Sequence, residues 1–317
     1  MALHLFRLRA LLLKLEDTEG TDAAPTGALN ALQIINGQGQ IESDRLAREI
    51  DKPHFTARPF VNTRRRATLS GSVELLGAAQ VGDPAPIDAL LRCGAHAYTQ
   101  LDDGGEPAVP TGAEYNPVSN GVPSATGWFY HGGEVMKVTG ARAALTRITL
   151  AINDFAKAEF QIQGSVSAVA EAPQPTDTDY SAFQEPQPIT TETFEVTVNE
   201  VKVDAVSIQL DTGAQLGMVE HSEARVTRLT DRQVSGTLRI YPPERSHLDI
   251  RALVAAHTRV PILATVTGAA GRNVRLELPT VQFGEPQRVD IDGVVGWDIP
   301  MTAPADAGND DYILTFN

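Results

Sequence analysis

Two stretches of this chain carry one pattern. Thr68 to Leu75 reads Thr-Leu-Ser-Gly-Ser-Val-Glu-Leu, and Gln233 to Ile240 reads Gln-Val-Ser-Gly-Thr-Leu-Arg-Ile. In both, apolar residues alternate with polar ones around a central Ser-Gly, the period of a strand with one dry face and one wet face. A short helical pattern follows each copy, Ile87 to Cys93 and Leu248 to Val254. A chain that writes this strand twice must bury two dry faces and leave two polar rows outside the core.

The surroundings repeat as well. A strand is expected at Ala31–Ile35 and its match at Ala205–Leu210, each followed by a polar stretch read as a surface loop, Gly37–Arg66 and Asp211–Arg232. After each helix comes a hairpin signal. Trp128–His131 turns through Gly132-Gly133 into Glu134–Val138, and Ile262–Thr267 turns through Gly268–Gly271 into Val274–Leu278. Each half closes with further strands, Leu145–Ile152 with Glu159–Val166, and Thr280–Phe283 with Arg288–Ile291 and on towards Trp297. Between the halves, Pro173, Pro175, Pro186 and Pro188 mark an extended linker, with a strand at Phe194–Val198 beyond it.

The fold class read from this order is mainly β: two tandem β-sandwich or barrel units, each with one short α-helix, plus an N-terminal helical or extended arm. The expected divisions are an arm over 1–28, a first β-domain over 29–170, a proline-rich linker over 171–190 and a second β-domain over 191–317. Apolar residues at Leu5, Leu8, Leu12 and Leu15 predict a helix over Leu3–Leu15. Its stripe needs a docking partner, either its own domain or a neighbouring subunit, which makes Leu5, Leu8 and Leu12 candidates for contact between subunits.

Composition narrows the function. Of 317 residues 42% are hydrophobic, enough for real cores, and 26 basic residues against 40 acidic ones give a net charge of −14. That balance argues against a protein that grips nucleic acid by its phosphates. Cys93 is the single cysteine, so no internal disulfide forms; it reads as a small core residue. No apolar run reaches the ~20 residues needed to span a bilayer. Leu11-Leu12-Leu13 is cut short by Lys14, Glu16 and Asp17, so the start reads as mature sequence rather than a signal peptide.

The search for chemistry gives little. His4, His54, His96, His131, His221, His247 and His257 include no pair three or four apart. Gly37-Gln-Gly39 lacks the third glycine of a dinucleotide fingerprint, Gly268–Gly271 is not a P-loop, and no nucleophile elbow is present. Asp102-Asp103 and Asp310-Asp311 read as solvated turns. The reading is a non-enzyme with no cofactor and no metal. Arg64-Arg65-Arg66 is the one dense basic run, read as an exposed start of a strand or a partner for acidic groups on another subunit. Trp128-Phe129-Tyr130 reads as core or interface packing, with a sugar platform as the alternative.

Three segments carry a resemblance. Leu11-Leu-Leu-Lys-Leu-Glu-Asp-Thr-Glu-Gly-Thr-Asp22 followed by Pro25-Thr26, the linker Asp179-Tyr-Ser-Ala-Phe-Gln-Glu-Pro186, and Ala307-Gly-Asn-Asp310 near the end are similar to segments of major tail tube proteins. These come from long-tailed, non-contractile bacteriophages, and the resemblance runs over nearly the full length. It implies a virion structural protein, assembled in the host cytoplasm, whose β-sandwich units join into stacked rings. It also implies tape-measure, tail-terminator and tail-tip partners, with DNA passing through the lumen without specific binding and no membrane.

The duplication adds a stoichiometry. If a ring needs six units and one chain supplies two, three chains complete it, so a homotrimer with pseudo-sixfold symmetry is expected, with a homohexamer as the alternative. The polar rows then face a lumen: Ser70, Ser72, Glu74, Ser235 and Thr237, with Glu159, Gln161, Gln163, Asp290 and Asp292 on closing strands. Arg239 breaks that row and is read as pairing with a neighbour. A soluble two-domain β binding module for carbohydrate or receptor, using Trp128 and Tyr130, is the competing expectation.

Overall fold

The alternating stretches become strands whose dry faces meet in a shared core. The computed structural model describes residues 5–220, 222, 225–269 and 272–317. In the first half these are β1 (Arg9–Leu15), α1 (Gly27–Asn30), β2 (Ala31–Leu32), β3 (Ile35–Ala47), β4 (Phe60–Glu74), α2 (Asp88–Cys93), β5 (His96–Asp102), β6 (Pro110–Pro117), β7 (Ala125–His131), β8 (Glu134–Ala151) and β9 (Lys157–Glu171). The second half holds β10 (Phe194–Val198), β11 (Val201–Val203), β12 (Ala205–Asp211), β13 (Gln215–Glu220), β14 (Arg225–Asp231), β15 (Ser235–Ile240), α3 (Ile250–Ala255), β16 (Arg259–Val266), β17 (Val274–Phe283), β18 (Gln287–Ile291), β19 (Val294–Thr302) and β20 (Ile313–Phe316). The described residues are mainly β, with three short helices.

One run of antiparallel pairings organises the rest: β3–β4–β9–β8–β12–β15–β19–β18. Its first four strands come from the first half and its last four from the second. The joint is β8–β12, with Ala151 opposite Ser207, Thr149 opposite Gln209 and Arg147 opposite Asp211. Leu69, Val73, Ile162, Leu150, Ile208, Leu210, Leu238 and Ile299 point inward from this sheet and are buried. A second layer is built from β2–β1–β7–β8 in the first half and β11–β10–β16–β17–β20 in the second. The strand β8 is long enough to serve both layers, pairing with β7 near its start and β12 near its end. Buried apolar residues form one contiguous cluster that runs through both halves.

Both hairpin signals are borne out. The β7–β8 turn closes at His131 opposite Glu134, with Gly132 and Gly133 at φ 64 and 83. Two successive positive φ values are what a type I′ turn requires. The β16–β17 hairpin pairs Val266 with Val274; Ala270 and Gly271 of its expected turn lie outside the described residues.

The N-terminal helix does not form. Arg9–Leu15 is a strand paired with β7 from Arg9 opposite His131 to Leu15 opposite Ala125, and with β2 on its other side. Ala10, Leu11, Leu12 and Leu13 are all buried, so both faces of the strand are covered. A run apolar on both faces suits a strand enclosed on both sides as well as it suits a helix. Leu3 and His4 lie outside the described residues. Glu16 then locks the strand end, accepting from the Gly20 and Gly140 N–H groups and the Thr126 hydroxyl at 2.7–2.8 Å.

The two polar stretches read as loops are hairpins. The strands β3 and β4 pair out to Ala47 opposite Phe60, and β13 pairs with β14 from Gln215 opposite Asp231 to Glu220 opposite Arg225. Neither arm has a continuous dry face, so no alternation announces them. The proline-rich segment has no regular structure but is tied down: Asp179 N–H donates to Gly27, and Ile189 is fully buried, exchanging backbone bonds with Asn153 and Asp154.

The halves are also joined by β6–β20, where Tyr115 lies opposite Leu314. Beside that ladder, buried His96 on β5 donates from Nδ1 to the Leu91 carbonyl and accepts at Nε2 from the Tyr312 hydroxyl at 2.7 Å. Burial holds this imidazole neutral, down to about 4 from 6.5. As pH falls from 6.5 towards 4, the unfolded chain takes up a proton that the native chain refuses. Stability is therefore lost across that window, by about 3 kcal/mol when complete. Urea melts from pH 7 to 4 should show the loss, and His96→Gln should flatten it.

Candidate functional site

Opposite the dry face, the eight-stranded sheet presents a continuous polar face. Along one row, Ser72, Glu159, Arg147, Asp211, Ser235 and Thr302 lie side by side from β4 through β9, β8, β12 and β15 to β19. The next row reads Glu74, Lys157, Thr149, Gln209, Thr237 and Pro300. Both rows cross the β8–β12 joint without a break. Ser70 and Gln161 are register partners further along, and Gln163 lies opposite Thr68. The sequence-predicted residues Ser70, Ser72, Glu74, Glu159, Gln161, Gln163, Ser235 and Thr237 thus share one face.

Asp290 and Asp292 do not join them. On β18 the residues in phase with the polar face are Gln287, opposite Asp298, and Val289, opposite Gly296, so Asp290 points the other way. Its carboxylate accepts the Gly293 N–H at 2.7 Å. Asp292 sits in the turn itself, at φ 52 with Gly293 at φ 84. That Asp-Gly pair is a two-residue hairpin signal, and reading it would have set the phase of both strands.

The electrostatics of this face are paired. Arg147 donates from Nε to Asp211 at 2.7 Å across the joint, and Glu159 lies 4.0 Å from the same guanidinium. Lys157 meets Asp154. Arg239 grips Asp298 with two bonds of 2.6 and 2.7 Å, so its partner is the adjacent strand of its own chain and not a neighbour. The Asp211 and Asp298 hydrogen bonds hold Arg147 and Arg239 above the ordinary arginine value. Glu74 alone among the carboxylates of these rows has no ion pair among the described residues. Sequence reading missed Arg147, Gln209, Asp211 and Asp298. Ser207 and Gln209 alternate with Ile208 and Leu210, a signal that was there to be used.

The expected contact residues divide. Arg64 pairs with Glu220 of the β13–β14 arm at 2.8 Å, and Arg66 with Glu42 at 2.8 Å, both within the chain; Arg65 is exposed. Leu5 and Leu8 are exposed, whereas Leu12 is buried inside its own chain and offers no surface. Glu19 links the two halves, bridging buried Arg142 at 3.2 Å and Arg228 of β14. The Arg228 hydrogen bond, above all, holds its carboxyl below 4.5.

Trp128 is no open platform. Lys137 covers its ring at 3.5 Å from the centroid, and its Nε1 donates to Asp22 at 3.2 Å. Phe129 faces the core. Among the described residues no cluster of His, Cys, Asp or Glu is arranged to hold a metal, and no helix is long and apolar enough to cross a membrane. Cys93 is fully buried, which pushes its thiol up to about 12.

Comparison with known proteins gives one finding. A family profile described as phage tail tube protein matches residues 7–314, nearly the whole chain. No curated protein matches significantly in sequence.

Proposed function

Because this chain belongs to the phage tail tube protein family, a structural component of the virion, we propose that it polymerises as stacked rings whose polar sheet lines the channel for genome delivery. The observation that carries this is the eight-stranded sheet with a polar face unbroken across its two halves. A sheet dry on one side and polar on the other needs water on that second side. The two halves act as tandem tube units, each placing four strands in the lumen wall. Three chains supply six units, so three copies of the eight-stranded sheet give 24 strands. At a strand spacing of about 4.8 Å and a tilt of about 40°, such a wall closes at a diameter of about 48 Å. Rings then stack through faces that need not close, which suits an open-ended tube.

Its charge pattern fits passage rather than capture. Each cation of the two central rows meets a carboxylate of this chain, so few bare guanidinium or ammonium groups remain to hold a phosphate. Tape-measure, terminator and tip proteins are the expected partners in the tail. Concentrated purified protein should show rings or tubes under negative stain; a protein that stays monomeric at every concentration contradicts the reading. In virions, Glu74→Lys with Glu159→Lys should slow genome ejection, more at low salt than at high. An unchanged rate at all salt concentrations would remove these residues from the lumen.

A further inference from the structure

Part of the polar face is not open to water. Arg142 lies opposite Gln163 and Ala144 opposite Gln161, in phase with the polar rows, yet both are buried, at 4% and 1% exposure. What covers them is the β13–β14 arm, which packs across β8 and β9. Leu216 and Met218 of the arm line one hollow with Thr68, Gln161 and Gln163 of the sheet. A guanidinium of the polar face is thus hidden beneath a hairpin from the other half.

The arm is held in place rather than built into the sheet. Among the described residues β13 and β14 pair only with each other, and a lone two-stranded hairpin is marginally stable in water. Its root is fixed. Thr212 donates from its N–H to the Thr146 carbonyl at 3.1 Å and from its hydroxyl to Leu145, and Arg232 pairs with Asp311 at 2.6 Å. Beyond the root, charge holds it. Arg228 Nη2 donates to Glu19 at 3.0 Å and Arg64 to Glu220 at 2.8 Å, all four side chains being 29–58% exposed. Glu19 sits on a strap tied to the first half, where Glu16 accepts from Gly20 at 2.7 Å and Thr126 from Ala23 at 3.0 Å. Buried Thr227 has a hydroxyl with no hydrogen-bond partner among the described residues, which favours lifting the arm.

Resting on the reading that this face lines the channel, we infer that β13–β14 is a lid over Arg142, latched by Glu19 of the strap. Closed, the lid withholds from passing DNA a guanidinium of the kind that grips phosphate. Open, it turns the same stretch of wall adhesive. Glu19 carries both tasks, because it neutralises Arg142 and ties down Arg228. Arg147 and Arg239, which stand exposed, are neutralised instead by carboxylates of the sheet itself.

Hydrogen exchange and guanidinium labelling with a dicarbonyl reagent, both read by mass spectrometry on the full chain, test the lid without requiring assembly. In the unsubstituted protein exposed Arg65 should label and Arg142 should resist. Arg228→Gln removes one exposed ion pair, so the β13–β14 amides should exchange, and Arg142 label, about fivefold faster. The β8–β12 amides should keep their native rates. Arg64→Gln, which removes the other tie, should act in the same direction. Arm amides no faster in either variant, or a faster arm with Arg142 still protected, would overturn the lid. In virions, Glu19→Gln should slow genome ejection at low salt, and Glu19→Gln/Arg142→Gln should recover most of the loss. Ejection unchanged by Glu19→Gln, in a protein whose lid opens, would overturn its role in the channel. Failure of the unsubstituted protein to form rings would overturn the channel reading and leave the lid standing.

Discussion

Deletion of residues 1–15 should abolish folding, whereas deletion of residues 1–8 should move the melting temperature by no more than about 2–4 °C. The difference lies in β1. Its Ala10, Leu11, Leu12 and Leu13 are each no more than 6% exposed, and it is paired along its length with β7 and flanked by β2. Truncating one buried leucine costs about 2–5 kcal/mol, and a typical domain has only about 5–15 kcal/mol in total. Losing the strand also exposes the β7 edge and removes the anchor that seats Glu16 against the Gly20 and Gly140 N–H groups. Leu5 and Leu8, by contrast, are 68% and 53% exposed. Circular dichroism and thermal melts of both truncations check the contrast. A cooperative native-like melt for the longer deletion would show that β1 is an appendage.

The second large effect is expected at the joint between the halves. Gln209 lies opposite Thr149 on one side and Thr237 on the other, so its N–H sits within a doubly flanked strand. Proline removes that donor from a central ladder and leaves its acceptor unpaired, costing about 1–3 kcal/mol before any strain. Gln209→Pro should lower stability by at least that amount and abolish tube assembly, because it breaks the sheet where the polar rows cross. Gln209→Val keeps the N–H and the strand preference, and should fold and assemble normally. Urea titration with negative-stain counts of tubes separates the two variants. Tubes from the proline variant would mean that the joint is not what holds the wall together.

Much of the fold was legible wherever one face of a strand is dry. Leu69, Val73 and Leu75 announced β4, and Leu238 with Ile240 announced β15. Paired glycines at 132 and 133 announced the β7–β8 turn. The arms β3–β4 and β13–β14 were not legible, because their distal residues are wet on both faces and period-2 contrast vanishes. The strand β1 failed for the opposite reason, being dry on both faces.

The polar rows could be read by alternation up to β15, but Asp290 and Asp292 fell out of phase at the Asp292-Gly293 turn. Which strands meet was hidden altogether. Nothing local in Ser207 to Asp211 says that this segment faces Ala151 to Arg147 in the other half, because long-range partner choice depends on the whole packed core. Arg239 shows the same limit. Its sequence neighbours made it an exception to the row, and only the register with Asp298 explains it.

The claim on which the account turns is that one chain contributes two units and eight strands to the lumen wall. The most direct measurement is an electron-microscopy map of the assembled tube, refined first with threefold and then with sixfold symmetry. Threefold refinement should resolve two distinguishable units per chain, joined within the chain by β8–β12, and three chains per ring. A better map under true sixfold symmetry, with six identical chains around the lumen, would contradict it.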